Sequence, residues 1–491
     1  MINSLLVSDA YKQSHPFQYP KRTNKVYSNW TPRSDKYAAT KNGVVVFGIQ
    51  AFLKKITKHF DENFFSLPKI EVINSFKEGY FNYFGEKANT KHVEDLHDLG
   101  YLPIKVKALP EGTVCPIGVP MLTIVNTLPE FFWITNFLET IMSTELWLPM
   151  TSSTIAKEYK DILTKWSDKT CDNKDHIPFQ AHDFSMRGMS GLEAAMASGA
   201  GHLLSFVGSD TIPAVYYLKE YYNADPSKEM VAVSIPATEH SVMSMGTMDD
   251  EIGTFKRLIT ETYPNGLVSI VSDTWNLWRV CTRFLPKLKN EILSRNGKVV
   301  IRPDSGDPVE IICGINRPEI DPAPQSPTGK GVVELLWETF SGTRNSKGYK
   351  VLDSHIGVIY GDSITLERAN EICERLERKG LASSNIVFGV GSYTYQYNTR
   401  DTYGFAMKAT YGEINGIGRD IYKDPVTDDG IKKSAKGLLQ VYKENGIIKV
   451  KDQCSIKEEN SGLLQTIFLN GSLIKETSLS DIRKKLWKIK T

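Results

Sequence analysis

No stretch of this 491-residue chain is apolar enough, for long enough, to span a bilayer. The most apolar candidate, Phe131 to Leu148, carries Thr135, Asn136, Glu139, Thr140 and Glu145, which suits a core helix. The opening residues, Met1 to Asp9, lack the basic segment and apolar run of a secretory signal. Charge of one sign is not in excess either. The chain has 59 Lys and Arg against 57 Asp and Glu, with no long basic run, which argues against a nucleic-acid partner. Cysteine is scarce, and Cys115, Cys171, Cys281, Cys313, Cys373 and Cys454 show no metal-type pairing; they read as reduced thiols of a cytoplasmic protein. There is no His-x-His or His-Glu-x-x-His spacing, no Walker loop and no full dinucleotide fingerprint. What remains is an ordinary soluble chain without a membrane partner, long enough for two structural regions.

From about residue 179, seven short apolar runs follow one another, each ending in polar or charged residues or in glycine. They are Phe179 to Asp183; Leu203 to Val207, ending at Asp210; Val231 to Ile235, ending at Glu239-His240; Leu267 to Val271, ending at Asp273; Val299 to Ile301, ending at Arg302 and Asp304; Ile356 to Tyr360, ending at Asp362; and Ile386 to Phe388, ending at Gly389-Val390-Gly391-Ser392. The segments between them read as helices. One is capped by Ser363, carries Leu366, Ala369, Ile372, Cys373 and Leu376 on one face, and stops at Gly380. Strands alternating with amphipathic helices imply parallel pairing, and near-continuous apolar strands imply burial on both faces. Polar groups at so many carboxyl ends favour an α/β barrel, incomplete because it has seven strands. The barrel is expected over residues 151–395. A second, mainly β (α+β) domain takes residues 1–150 and the returning 396–491, so both chain ends build it. The Pro-rich stretch from Arg317 to Pro327 reads as a surface excursion, and Gly446 to Val450 as a strand.

The run Val299 to Pro308 shows the chemistry most plainly. Pro303, Gly306 and Pro308 stop a β-branched strand abruptly, leaving a cation, Arg302, and a carboxylate, Asp304, at its end. Collected at one mouth, the strand-end groups are His182, Asp183, Arg187, Asp210, His240, Asp273, Arg302, Asp304 and Asp362. Guanidinium forks match phosphate oxygens, and carboxylates can hold ribose hydroxyls or hydrated Mg²⁺, so this set suits a polyanion carried with magnesium. No lysine terminates any of the seven runs, which counts against a Schiff-base aldolase. The turn at Gly389 to Ser392, with Arg400 after it, stands where barrels often bind a phosphate.

Three of these segments, His182 to Gly188, Ser234 to Ser241 and Ile301 to Gly306, resemble the nicotinamide phosphoribosyltransferase family, as do Asp9-Ala10-Tyr11-Lys12 and Lys423-Asp424-Pro425-Val426. The likeness covers nearly the whole chain in order. It implies a type II phosphoribosyltransferase that joins nicotinamide to phosphoribosyl pyrophosphate, working as a homodimer with shared active sites. Family positions place the pyridine ring between Phe184 and Tyr11 of the partner subunit, with Asp210 accepting from the carboxamide and Asp9 and Ser272 nearby among the substrate contacts. Arg187, His240 and Arg302 would hold the diphosphate, Asp304, Gly361 and Asp362 would face the ribose, and Ser392 and Arg400 would take the nucleotide phosphate. His240, Asp304 and Arg302 are the implied catalytic residues. ATP is implied as a coupling substrate that phosphorylates His240, with Arg33, Lys408 and Lys423 in its phosphate loop and Lys432 and Lys433 closing over it. Magnesium is implied as cofactor, held mainly by the diphosphate and by no assigned residue.

Three positions depart from the family pattern. Asn276 stands where an acid is expected, Ser392 replaces a glycine, and Ala406 replaces a serine near Lys408. The first and third bear on how strongly ATP is coupled. Two alternatives share the fold: action on nicotinate, disfavoured by the charge of Asp210, and a non-catalytic binding protein, disfavoured by intact Arg187, His240, Arg302 and Asp304.

Overall fold

The computed structural model describes residues 2–315, 325–361, 363–423 and 435–488. Asp362, Asp424, Lys432 and Lys433, and the excursion from Arg317 to Pro324, lie outside the described residues. The chain divides into two compact units. The first comprises Met1–Thr154, Tyr217–Ala224 and Asn398–Thr491, and the second Ile155–Tyr216 and Asp225–Tyr397.

The second unit is built on a curled sheet of six parallel strands, β1 (Ala181–Asp183), β2 (Gly208–Ser209), β3 (Val268–Val271), β4 (Val299–Arg302), β5 (Ile356–Tyr360) and β6 (Ile386–Val390), in the order β2-β1-β6-β5-β4-β3. Val299, Val300 and Ile301 are all buried, because parallel strands of this kind are covered on both faces. The helix Leu366–Arg378 buries all five apolar positions of its stripe, and Gly380 follows it at a φ of +69°. Its cap is Thr365, whose hydroxyl accepts from Arg368 N–H at 3.3 Å. Ser363 is not the cap: it sits at a φ of +55°, whereas capping needs the extended backbone that Thr365 supplies.

Two of the seven expected strands are not formed as read. Leu203 to Phe206 is the end of the helix Leu192–His202 continued into turns, with Leu203 N–H donating to the Gly199 carbonyl and Phe206 N–H to that of His202. Its apolarity reflects burial as a helix end, which a short run cannot distinguish from a strand. Val231 to Ile235 makes no ladder. The segment forms isolated parallel bridges instead, Val233 with Gly208 at one edge of the sheet and Ala237 with Ser269 at the other. Pro236 between them has no N–H to donate, so a continuous ladder cannot form. The seven-strand barrel is therefore six strands plus a bridging segment. The expected core helix from Phe131 to Leu148 is also broken, into Ile134–Phe137 and a new helix from Glu139. Among the described residues no helix is long and apolar enough to cross a membrane, and all six cysteines are buried and free.

The first unit carries an antiparallel sheet of seven strands, ordered Ile417–Asp420, Ala406–Ile414, Thr23–Thr31, Leu122–Asn126, Ile104–Ala108, Gln465–Leu469 and Ser472–Leu473. Segments from both chain ends thus share one sheet. Asn415-Gly416, Asn445-Gly446 and Asn470-Gly471 each turn a hairpin with positive φ at both residues, the geometry whose twist suits paired strands. The helix Ile49–Phe60 is capped from a distance by Glu111, whose carboxylate accepts from Gln50 N–H at 2.7 Å and Gly48 N–H at 3.3 Å. Burial pushes the Glu111 carboxyl up to about 7, against the hydrogen bonds from Gln50, Tyr222 and Gly48. The folded unit then keeps a proton that the unfolded chain releases above its ordinary value of 4.5, so stability falls as pH rises between 4.5 and about 7. Urea denaturation across that window is expected to show the wild type losing about 3 kcal/mol more than Glu111→Gln. Equal pH slopes would show that Glu111 does not titrate there.

Candidate functional site

Parallel pairing brings the carboxyl ends of β1 to β6 to one side of the second unit. Phe184 N–H extends the ladder past β1 by donating to the Val390 carbonyl at 2.9 Å, and Ser272 N–H does the same past β3 to the Arg302 carbonyl at 2.9 Å. The residues just beyond these last rungs are the ones with chemistry.

Asp210 follows β2. Its carboxylate accepts from His182 Nε2 at 2.9 Å and from the Ser234 hydroxyl of the bridging segment. Burial pushes the Asp210 carboxyl up, but the hydrogen bonds from His182 and Ser234 and the Arg302 charge outweigh it and hold the group below the usual carboxylate range. Asp210 is consequently an acceptor at neutral pH. The Phe184 ring lies 4.6 Å from that of His182, and a glycine at 389 admits it: a Cβ there would fall 2.7 Å from the Phe184 ring and 2.5 Å from the Tyr360 carbonyl.

The other cluster is built by β3, β4, β5 and the start of the helix His240–Met245. His240 Nε2 lies 3.7 Å from Asp304 Oδ2, and its Nδ1 lies 3.3 Å from the Thr274 hydroxyl. Arg302 is steered by Nη2 donating to the Thr238 carbonyl at 2.6 Å, while its Nε is buried without a partner among the described residues. Gly361 packs directly on this pair, since a Cβ at 361 would fall 2.2 Å from Asp304 Oδ1 and 3.5 Å from Arg302 Cδ. Arg187 is exposed in the turn Met186–Gly188, and that turn meets the start of the helix Ser392–Tyr395 so closely that a Cβ on Gly188 would fall 2.0 Å from the Ser392 hydroxyl.

Not every residue expected at the mouth is open to a ligand. Asp183 is fully buried and spent on the Ser185 hydroxyl and N–H at 2.6 and 2.9 Å and on the Thr211 hydroxyl at 2.7 Å, so it locks the loop after β1. Ser272 is likewise fully buried, its hydroxyl donating to the Ile270 carbonyl at 2.7 Å. Asn276 accepts from Arg279 N–H at 2.9 Å as a helix cap, a task that an amide performs as well as an acid. Ser234, Thr238, Thr274 and Ser305 orient the charged groups and were not singled out from the sequence individually. The repeated hydroxyls within Ser234 to Ser241 and Asp304-Ser305 were the available signal.

The remaining expected residues lie in the first unit. Asp9 accepts from the Thr140 hydroxyl at 2.7 Å, and Tyr11 is exposed, edge-on to His15. Arg33 Nε donates to the Gly404 carbonyl at 3.1 Å, and Arg400 Nη2 lies 3.4 Å from Asp401. Burial, and then the charges of Arg33, Lys423 and Arg400, lower the Lys408 ammonium against the opposing pull of Glu139. These four cations therefore share one field, which suits a phosphate. Ala406 stands on the same strand, opposite Thr31.

Residues 179–471 match the profile of the nicotinate phosphoribosyltransferase (NAPRTase) family, and residues 3–106 match that of the nicotinamide phosphoribosyltransferase N-terminal domain. The chain is similar to a nicotinamide phosphoribosyltransferase of Acinetobacter baylyi, with 50% identity over 497 residues, covering 99% of this chain and 97% of that one. It is 36% identical to the Mycoplasma pneumoniae protein of the same name over 475 residues, covering 90% and 97%. The crystal structure of human nicotinic acid phosphoribosyltransferase shares the fold, with a TM-score of 0.55 at 14% identity, over 98% of this chain and 93% of that one. The site geometry makes one stability test direct. Gly389→Ala must displace the Phe184 ring or the β5 backbone and is expected to cost about 1–3 kcal/mol by thermal denaturation. An unchanged melting temperature would show that this close approach is not tight.

Proposed function

The chain belongs to the nicotinamide phosphoribosyltransferase family of enzymes, and from that premise we propose that it joins nicotinamide to 5-phosphoribosyl 1-pyrophosphate, giving nicotinamide mononucleotide and diphosphate in NAD salvage. The observation that carries this reading is the presence, at the carboxyl ends of one parallel sheet, of an ionised Asp210 bonded to His182, whose ring lies 4.6 Å from that of Phe184, together with a second group of Arg302, His240 and Asp304. One half suits a neutral amide-bearing ring and the other a diphosphate.

Breaking the bond from ribose C1 to diphosphate builds oxocarbenium character on the sugar and negative charge on the leaving oxygens. Arg187, Arg302 and His240 face that charge and stabilise it as it develops. The ring nitrogen of nicotinamide is neutral and needs positioning rather than deprotonation. Phe184 offers one stacking face, and Tyr11 of the partner subunit would supply the other in a homodimer with shared sites. Asp304 and Gly361 face the ribose, and Ser392 and Arg400 the nucleotide phosphate. Magnesium is proposed as cofactor, carried mainly by the diphosphate and by no assigned residue. When bound, it would neutralise leaving-group charge. The cytoplasm is the proposed location.

Nicotinate is the second reading, favoured by the match to the nicotinate family profile. Asp210 weighs against it, because a carboxylate substrate would meet like charge. In assays with phosphoribosyl pyrophosphate, magnesium and each base, nicotinamide is expected to be used in preference, and Asp210→Ser is expected to raise the nicotinate-to-nicotinamide ratio of kcat/KM about tenfold or more. Preference for nicotinate in the wild type would overturn the assignment of substrate. ATP is proposed as a coupling substrate: His240 attacks its terminal phosphorus, the bond to ADP breaks, and ADP departs. ATP-dependent stimulation is expected to vanish in His240→Ala. Stimulation that persists would place phosphoryl transfer elsewhere.

A further inference from the structure

Asp273 is the first residue beyond the β3 rung that Ser272 makes with Arg302, and it turns sideways onto the neighbouring loop. Its Oδ2 accepts from the backbone N–H of Asp304 at 3.0 Å and from the Ser305 hydroxyl. Its Oδ1 is buried with no partner among the described residues. A buried carboxylate oxygen left unsatisfied is costly, so a residue chosen only to fill space here would not be an acid. The loop it holds is gripped from the opposite side as well, because Gly361 N–H donates to the Pro303 carbonyl at 3.2 Å and the Asp304 carboxylate occupies the space a side chain at 361 would need. The Asp304 carboxylate is thus suspended between the ends of β3 and β5.

Its distance to His240 gives this suspension a consequence. At 3.7 Å, Asp304 Oδ2 and His240 Nε2 form an ion pair only if the imidazole is protonated, and they lie beyond hydrogen-bond length. A shift of the loop by a fraction of an ångström would either close that contact or abolish it. Among the described residues the Asp304 carboxylate has no further hydrogen bond or ion pair, so its backbone decides where the carboxylate stands.

We propose that Asp273 is a positioning residue for the reaction: by fixing the Asp304 backbone and Ser305 it sets the carboxylate of Asp304 against His240 and the ribose. The inference rests on the function proposed above and adds a residue that touches neither substrate nor leaving group. Asp273 works through hydrogen-bond acceptance, not through charge. An amide oxygen at the same position would accept from the Asp304 N–H and Ser305 just as the carboxylate does.

Asp273→Ala, Asp273→Asn and Ser305→Ala, compared with the wild type in steady-state kinetics and thermal denaturation, test this. In Asp273→Ala, kcat is expected to fall at least about tenfold, within the range that misplacing a reacting group by about 1 Å produces, while the KM for nicotinamide stays within twofold. Asp273→Asn is expected to recover to within about threefold of wild-type kcat, and Ser305→Ala, which removes one hydrogen bond from an exposed side chain, to show a smaller loss than Asp273→Ala with an unchanged melting temperature. Wild-type kcat in both Asp273→Ala and Ser305→Ala would overturn the proposal. So would a loss in Asp273→Asn equal to that in Asp273→Ala. A wild-type protein inactive on nicotinamide and phosphoribosyl pyrophosphate would instead refute the function, and is distinguished because no variant is involved.

Discussion

The hydrogen bond from Ser272 N–H to the Arg302 carbonyl closes a parallel ladder in which Val271 stands opposite Arg302, and the site is counted from that register. Antiparallel neighbours would send alternate strand ends to opposite sides of the sheet. Parallel ones cannot. Once Tyr360 stands opposite Phe388, and Val390 opposite Asp183, the residues that follow each strand have to emerge together, whatever their identity. The apolar strands therefore do two things at once. They bury themselves between helices, and they deliver polar loops to one mouth.

Within that mouth the carboxylates are divided by what their neighbours demand of them. Asp183 has no freedom left after satisfying Ser185 and Thr211, and it serves the loop rather than a ligand. Asp210 retains a face open to solvent because only one of its oxygens is engaged by His182 and Ser234. Hydrogen bonds to that oxygen favour the charged form over the cost of burial, so an acceptor is present before any ligand arrives. Glycine does comparable work at 361 and 389. At each, the absence of a Cβ lets a functional side chain from the adjacent strand lie across the backbone.

The sequence was informative where several residues spoke together. Three consecutive β-branched residues followed by Arg302-Pro303-Asp304 are a strand and its end under almost any reading, and the stripe from Leu366 to Leu376 could bury only one face. A single local cue does not fix an element. Leu203 to Val207 is as apolar as a strand but closes a helix, and Val231 to Ile235 keeps only the bridge at Val233, with Pro236 interrupting the path to the next bridge at Ala237. Ser363 and Thr365 are equally good caps by composition, and only backbone geometry separates them. At the site, types of residue were legible but their states were not. Nothing in the order of residues distinguishes a spent aspartate at 183 from an available one at 210, or shows that Asp273 reaches the loop of Asp304. Such distinctions arise from contacts between segments about 30 residues apart, which periodicity and spacing do not encode.

In the proposed reaction the ends of β3, β4 and β5 form one anion-holding cavity rather than several adjacent surfaces. A crystal structure of the protein with magnesium and inorganic diphosphate tests that most directly. The diphosphate is predicted to lie within hydrogen-bond distance of both the Arg302 guanidinium and a ring nitrogen of His240, with Asp304 on its ribose side. A diphosphate bound in the same crystals away from Arg302 and His240 would contradict it.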